Sequence, residues 1–146
     1  MKIVIALCCL VVVASAAGPC QDYLDQIRGG RLRMGQFIPQ CDEDGFYTAK
    51  QCREAVCYCV DNHGKTLGFH TNIGLARNMN CKCARERDAY QKSGLLGKMF
   101  RCDAVGNYDT VQCVGSVCYC ADENGSELLG AGAQKVHISE MHKLRC

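Results

Sequence analysis

The chain has 146 residues, 14 of them cysteine, a load that excludes an ordinary cytosolic protein, where thiols are kept reduced, and points to a small extracellular scaffold held by disulfides. Its 17 Lys and Arg against 15 Asp and Glu leave a formal charge of +2, too weak a field to draw the chain to nucleic acid. The absence of Trp, with 2 Pro and 15 Gly, suits a turn-rich small fold.

The chain opens on Lys2 and an apolar run over residues 3–14, followed by the small residues Ala14-Ser15-Ala16-Ala17. This is the layout of a signal peptide over residues 1–17, cleaved after Ala16 or Ala17. A membrane anchor needs roughly 20 apolar residues, and the run stops at Gly18-Pro19, so secretion without membrane association is expected. Cys8 and Cys9 leave with the leader, and the even number of 12 cysteines remains.

Residues 21–27 carry Tyr23, Leu24 and Ile27 on one helical face after Pro19 and stop at Gly29-Gly30. A strand over residues 46–51 is expected after the turn Asp42-Glu43-Asp44-Gly45. Cys57-Tyr58-Cys59-Val60 reads as a strand entering a hairpin turn at Asp61-Asn62-His63-Gly64. Side chains alternate across a strand, so its two cysteines face one way, the tyrosine faces the other, and the cysteines reach two different partners. A second helix is expected over residues 84–92, ending at Ser93-Gly94, and a second strand and turn at Cys118-Tyr119-Cys120-Ala121 and Asp122-Glu123-Asn124-Gly125.

These elements repeat. From Cys41 to Cys52, Cys57 and Cys59 the gaps are ten, four and one residues, and the same gaps separate Cys102, Cys113, Cys118 and Cys120. Gly45, Tyr47, Gln51, Tyr58, Asp61 and Gly64 match Gly106, Tyr108, Gln112, Tyr119, Asp122 and Gly125 in register. An internal duplication follows, with one repeat over 18–81 and another over 82–146. The boundary at Cys81-Lys82-Cys83 leaves one residue as linker and little independent swing.

Catalysis finds no support. His63, His70, His137 and His142 lack a matched nucleophile, no serine sits in a Gly-x-Ser-x-Gly turn, and the cysteine spacings are not those of zinc sites. Asp42-Glu43-Asp44 lacks the ligand spacing of a calcium loop. No catalytic residue, metal or cofactor is expected.

Phe37-x3-Cys41-x3-Gly45-x-Tyr47-x3-Gln51-Cys52, then Cys57-Tyr58-Cys59-Val60 and Gly64, resembles the thyroglobulin type-1 domain, whose signature is Gln-Cys followed by Cys-Trp-Cys-Val. The resemblance covers essentially the whole mature chain, twice. The first repeat departs in Tyr58 for Trp; the second has Tyr119 for Trp, Ala121 for Val, and Lys98 where the first has Phe37. The resemblance implies a small disulfide-rich α+β fold of two tandem domains, each a short N-terminal helix and a small antiparallel sheet held by three disulfides. Spacing alone does not choose among the pairings of six cysteines. The family implies consecutive pairing: Cys20 with Cys41, Cys52 with Cys57, Cys59 with Cys81, Cys83 with Cys102, Cys113 with Cys118, and Cys120 with Cys146.

Many domains of this family, the thyropins, resemble a wedge that fills the active-site cleft of papain-like cysteine proteases such as cathepsins. Carried over by position, the contacting loop is Gly30, Arg31, Leu32, Arg33, Met34 and Gly35, assisted by Arg53, Glu54, Ala55 and Val56. A loop offering apolar and basic side chains between glycines suits such a cleft, and bridges that hold it in its bound form reduce the entropy lost on docking. The second repeat presents Gly94, Leu95, Leu96, Gly97 and Lys98 with Val114, Gly115, Ser116 and Val117, a more apolar edge for a second protease or for none; Leu95-Leu96 beside Met99-Phe100 could instead pack between the repeats. The favoured expectation is a secreted, noncovalent, monomeric inhibitor, similar to free-standing thyropins that include arthropod venom and salivary components. The alternative is a non-inhibitory extracellular protein-binding module. Asn124-Gly125-Ser126 is also an acceptor sequence for N-linked sugar, in a predicted turn.

Overall fold

The computed structural model describes residues 17–31, 33–130 and 134–146. The expected leader, apart from Ala17, and the loop residue Leu32 lie outside the described residues.

Helix α1, Pro19–Gly29, starts on a proline, whose fixed φ suits the first helical position. Its buried residues Cys20, Leu24 and Ile27 form one stripe. Strands β1 (Lys50–Arg53), β2 (Val56–Val60) and β3 (Thr66–Asn72) follow as an antiparallel sheet in that order. The 3₁₀ turn Ile73–Asn78 leads to the second helix, α2, Lys82–Lys92. The second sheet has the order β4 (Lys98–Met99), β5 (Val111–Val114), β6 (Val117–Cys120) and β7 (Lys135–His137), followed by the 3₁₀ turn Ile138–Lys143.

Several boundaries differ from the sequence expectation: α1 starts at Pro19, β2 at Val56 and β6 at Val117, each a residue or two early, and two further shifts have a clear physical cause. The strand expected over residues 46–51 begins at Lys50, because the amides before it are spent elsewhere: Tyr47 N–H donates to the Asn62 carbonyl at 3.2 Å and Thr48 N–H to the Gln40 carbonyl at 2.9 Å. Only an isolated bridge, Tyr47 to Cys41, lies in that stretch. Helix α2 begins at Lys82, directly after Cys81, whose φ of 60° turns the chain sharply between two buried half-cystines.

The bridges are Cys20–Cys41, Cys52–Cys57, Cys59–Cys81, Cys83–Cys102, Cys113–Cys118 and Cys120–Cys146. The longer bridges close segments of about 20 residues, each contributing on the order of 3 kcal/mol on the loop-entropy account. That offsets cores that are small. One cluster joins Cys57, Cys59, Ala76, Met79 and Cys81 to Ala84, with Phe69 and Val105 packed against it. The other joins Cys113, Cys118 and Leu144.

The first cluster spans the duplication, and polar contacts surround it. From α2, the Arg85 guanidinium donates to the carbonyls of Tyr47 at 2.6 Å and Val60 at 3.1 Å. Lys92 Nζ bonds Asp61 Oδ2 at 3.0 Å, and the Arg87 guanidinium lies 4.8 Å from the centre of the Phe69 ring. Asn107 Oδ1 accepts from Asn80 N–H (2.7 Å) and Cys81 N–H (3.2 Å), while its Nδ2 donates to the Asn78 carbonyl. A Cβ on Gly106 would stand 2.7 Å from Cys59 Sγ, so the close approach of the repeats requires glycine there. Aligned on their cysteines, Arg85, Val105 and Asn107 replace Asp22, Asp44 and Phe46 of the first repeat. The copies have thus diverged where they meet. Leu95 and Leu96 are 62% and 93% exposed and belong to no buried cluster of the junction, which is built from Arg85, Val105, Gly106 and Asn107.

Asp61 ties the junction to the hairpin turn. Burial pushes its carboxyl up, but the Lys92 ammonium and the Lys65 and His63 N–H groups outweigh burial together and hold it below the usual carboxylate range. A depressed carboxylate stabilises the fold above its unfolded pKa of about 4, and that contribution is lost as pH falls through the lower folded value. Asp61→Asn is therefore expected to cost about 1–3 kcal/mol at neutral pH and to flatten the fall of stability below about pH 4, as read by urea unfolding across pH. Arg85→Ala strips a charged donor from two carbonyls, an expected loss of about 2–3 kcal/mol. Calorimetry should show one transition in the native chain and two separated transitions in this variant.

Candidate functional site

Beyond α1 the chain passes Gly30 in extended backbone and closes a tight turn, in which Gln36 N–H donates to the Arg33 carbonyl at 3.0 Å and Arg33 N–H to Gln36 Oε1 at 3.2 Å. Gly35 occupies the third position with φ +77°, the left-handed geometry a type II turn demands there. Met34 is left at the apex and wholly exposed, flanked by the exposed Arg31 and Arg33. A shallow concavity separates this loop from Gln26 and Ile27 at the end of α1.

The return of the loop to the sheet is pinned by a buried glutamine. Gln51, 1% exposed on β1, accepts from Gln40 N–H at 2.9 Å and donates through Nε2 to the carbonyls of Gln40 (2.7 Å) and Thr48 (3.0 Å). Gln112 does the same for Arg101 and Asp109. This is the physical content of the Gln-Cys pair: the cysteine closes the hairpin, and the buried glutamine pairs the Gln40 N–H and adds bonds to the Gln40 and Thr48 carbonyls.

Arg53, Glu54, Ala55 and Val56 form the tip of the β1–β2 hairpin, with Arg53 opposite Val56 and Cys52 opposite Cys57. Glu54 sits at φ +55°, a strained setting for a residue with a Cβ, whereas its counterpart in the second repeat is Gly115 at φ +57°. The Ala55 carbonyl accepts from Ile73 N–H at 2.8 Å. That bond brings Ile73 and Leu75, both exposed, alongside the tip. These two residues were not anticipated; exposed single apolar residues are ordinary in a sequence, and only the pairing of β2 with β3 carries them there.

The second repeat joins its two loops more directly. Lys98 pairs with Val114 and Met99 with Cys113, and Gly115 N–H donates to the Gly97 carbonyl at 3.1 Å. Gly94, Leu95, Leu96, Gly97 and Lys98 therefore lie beside Val114, Gly115, Ser116 and Val117. The Ser116 carbonyl accepts from Ile138 N–H at 2.8 Å, the counterpart of the Ala55–Ile73 bond. Leu95, Leu96, Met99, Val114, Val117 and Ile138 are exposed along this edge. Among the described residues, no strand pairing ties the loop 30–36 to the tip 53–56 in the first repeat.

A helix and a small sheet, stapled by three bridges and presenting a loop and a hairpin tip, occur here twice and define a tandem pair of small disulfide-held α+β domains. The thyroglobulin type-1 repeat family matches over residues 20–81 and 76–139, and the chain belongs to that family. It is 28% identical to equistatin of Actinia equina across 95% of this chain and 63% of that protein. Thyroglobulin of Bos taurus is 33% identical across 69% of this chain and 4% of its own length. Testican-3 of Pongo abelii is 47% identical across 37% of this chain and 14% of its own. The chain thus spans less than two thirds of the length of these relatives.

Replacing Glu54 by Gly removes the penalty on a left-handed Cβ, about 1–2 kcal/mol, at the cost of a more flexible unfolded chain, about 0.4–1 kcal/mol. Glu54→Gly is expected to stabilise the chain by about 0–1.6 kcal/mol in denaturant unfolding.

Proposed function

We propose that the chain is a secreted, noncovalent inhibitor of papain-like cysteine proteases, acting by occupying the cleft with the first repeat. The observation that carries this reading is the Arg33–Gln36 turn, which holds Met34 fully exposed between two exposed arginines. Many thyroglobulin type-1 domains act in this way, and papain-like clefts accept apolar and basic side chains. Arg31, Leu32, Arg33 and Met34 enter the cleft; Arg53, Glu54, Ala55 and Val56, with Ile73 and Leu75 beside them, rest on its wall. The bridges and the Gln51 pin lower the entropy of docking. The chain is a binder that contributes no catalytic group, and it works as a monomer.

The second repeat takes a separate target. Its edge offers Leu95, Leu96 and Val114 where the first offers arginines, so a second protease with apolar subsites, or another extracellular protein, suits it. Met34, Leu95 and Leu96 are all exposed with the two repeats docked, so both edges are open together.

Titrating the oxidised chain lacking residues 1–17 against a papain-like cathepsin, with a fluorogenic substrate, should show competitive inhibition. Met34→Ala is expected to weaken it about tenfold or more, as loss of a central contact does, and the combined Arg31→Ala, Leu32→Ala and Arg33→Ala variant further. Absence of inhibition at micromolar protein across several cysteine proteases would overturn the reading and leave a binding module.

A further inference from the structure

From the placement of the Asn124-Gly125-Ser126 acceptor sequence we infer that the chain carries one N-linked glycan, on Asn124, at the end of the second sheet remote from both binding edges. The inference shares with the proposed function only passage through the secretory pathway.

The sequence Asn-x-Ser/Thr occurs once in the chain. In the first repeat the aligned turn reads Asn62-His63-Gly64-Lys65, with the asparagine one place early and no hydroxyl two residues on. Asn124 and Ser126 are both exposed. Their turn is organised by Asp122, whose Oδ1 accepts from the N–H groups of Asn124 (2.8 Å) and Ser126 (2.9 Å). Both of these bonds use backbone N–H groups; the amide nitrogen of the exposed Asn124 side chain, the atom that would bond the sugar, faces the Asp122 carboxylate at the surface of the turn. The Asn124 Oδ1 meets Lys82 Nζ.

Timing favours modification as well. The acceptor lies between Cys120 and Cys146, the bridge of greatest sequence separation, 26 residues. Until Cys146 has been made and paired, that segment is unconstrained, the condition a glycosyl-transferring enzyme needs to bind an acceptor in extended form.

The location decides the consequence. Strand β6 runs from Val117, at the binding tip, to Cys120, and the turn follows at its far end. At about 3.3 Å per residue the two ends are more than about 10 Å apart. Asp122 and Glu123, next to Asn124, wall a polar groove at the junction that also includes Asn78, Asn80 and Asn107. A glycan on Asn124 rises beside that groove and shields the junction, leaving Met34, the 53–56 tip and the Leu95 edge open.

The test is expression of the full mature chain behind a heterologous signal peptide in a eukaryotic secretory host, with intact mass read before and after peptide N-glycosidase F. The expected result is the added mass of one glycan, removed by the enzyme, absent in Asn124→Gln and Ser126→Ala, and retained in Ser126→Thr. Glycosylated and Asn124→Gln chains should inhibit a papain-like protease equally. An unmodified mass for the secreted native chain overturns the inference, as does a glycan that persists in Asn124→Gln. A fall in inhibition on glycosylation overturns the assigned placement. If neither form inhibits, the protease reading fails while the glycan assignment stands on the mass alone.

Discussion

Everything in this molecule hangs on two buried half-cystines on one face of a single strand. Cys57 ties β2 across the hairpin to Cys52, and Cys59, two residues on, ties the same strand to Cys81 at the start of the second helix. Both are essentially inaccessible to solvent. A five-residue strand with one buried face cannot hold a sheet alone in water. The bridges hold it by limiting the unfolded chain, and the apolar cluster grows around the sulfur atoms.

The same sulfur explains why two small domains make one body. Cys59 Sγ packs where Gly106 presents no side chain, so the core of the first repeat runs into the turn of the second. Arg85 and Asn107 then satisfy carbonyls and amides that the short linker would leave without partners. At the aligned positions the first repeat has Asp22 and Phe46, and the difference between the copies is that one must dock against the other.

The binding edges differ in a complementary way. The first repeat lifts a basic, Met-tipped turn away from its sheet; the second draws its loop onto the sheet through β4 and shows leucine and valine. Both edges rest on an identical device, a buried glutamine holding the N–H and the carbonyl of one residue of the returning chain. A common scaffold with divergent tips is what duplication yields when backbone geometry is constrained by bridges and buried polar pins while exposed side chains are free to change.

Much of this was legible from residues alone. Cysteine gaps of ten, four and one marked the duplication, apolar periodicity marked the first helix and the duplication its counterpart, and the alternation in Cys-Tyr-Cys required two partners for its sulfurs. The strand boundary at Lys50 was not legible, because long-range hydrogen bonds to Gln40 and Asn62 took the amides of the preceding residues. Gln51 and Gln112 stood out as matched positions without a role until burial showed what they hold. The sequence by itself determined the local terms: which residues repeat, where helices stop, which side chains sit in loops. Only the tertiary structure decided that Ile73 and Leu75 stand beside the 53–56 tip, that Leu95 and Leu96 face outward, and that Arg85 spans the repeats. Those outcomes depend on contacts between residues far apart in the chain, whose energies no local pattern encodes.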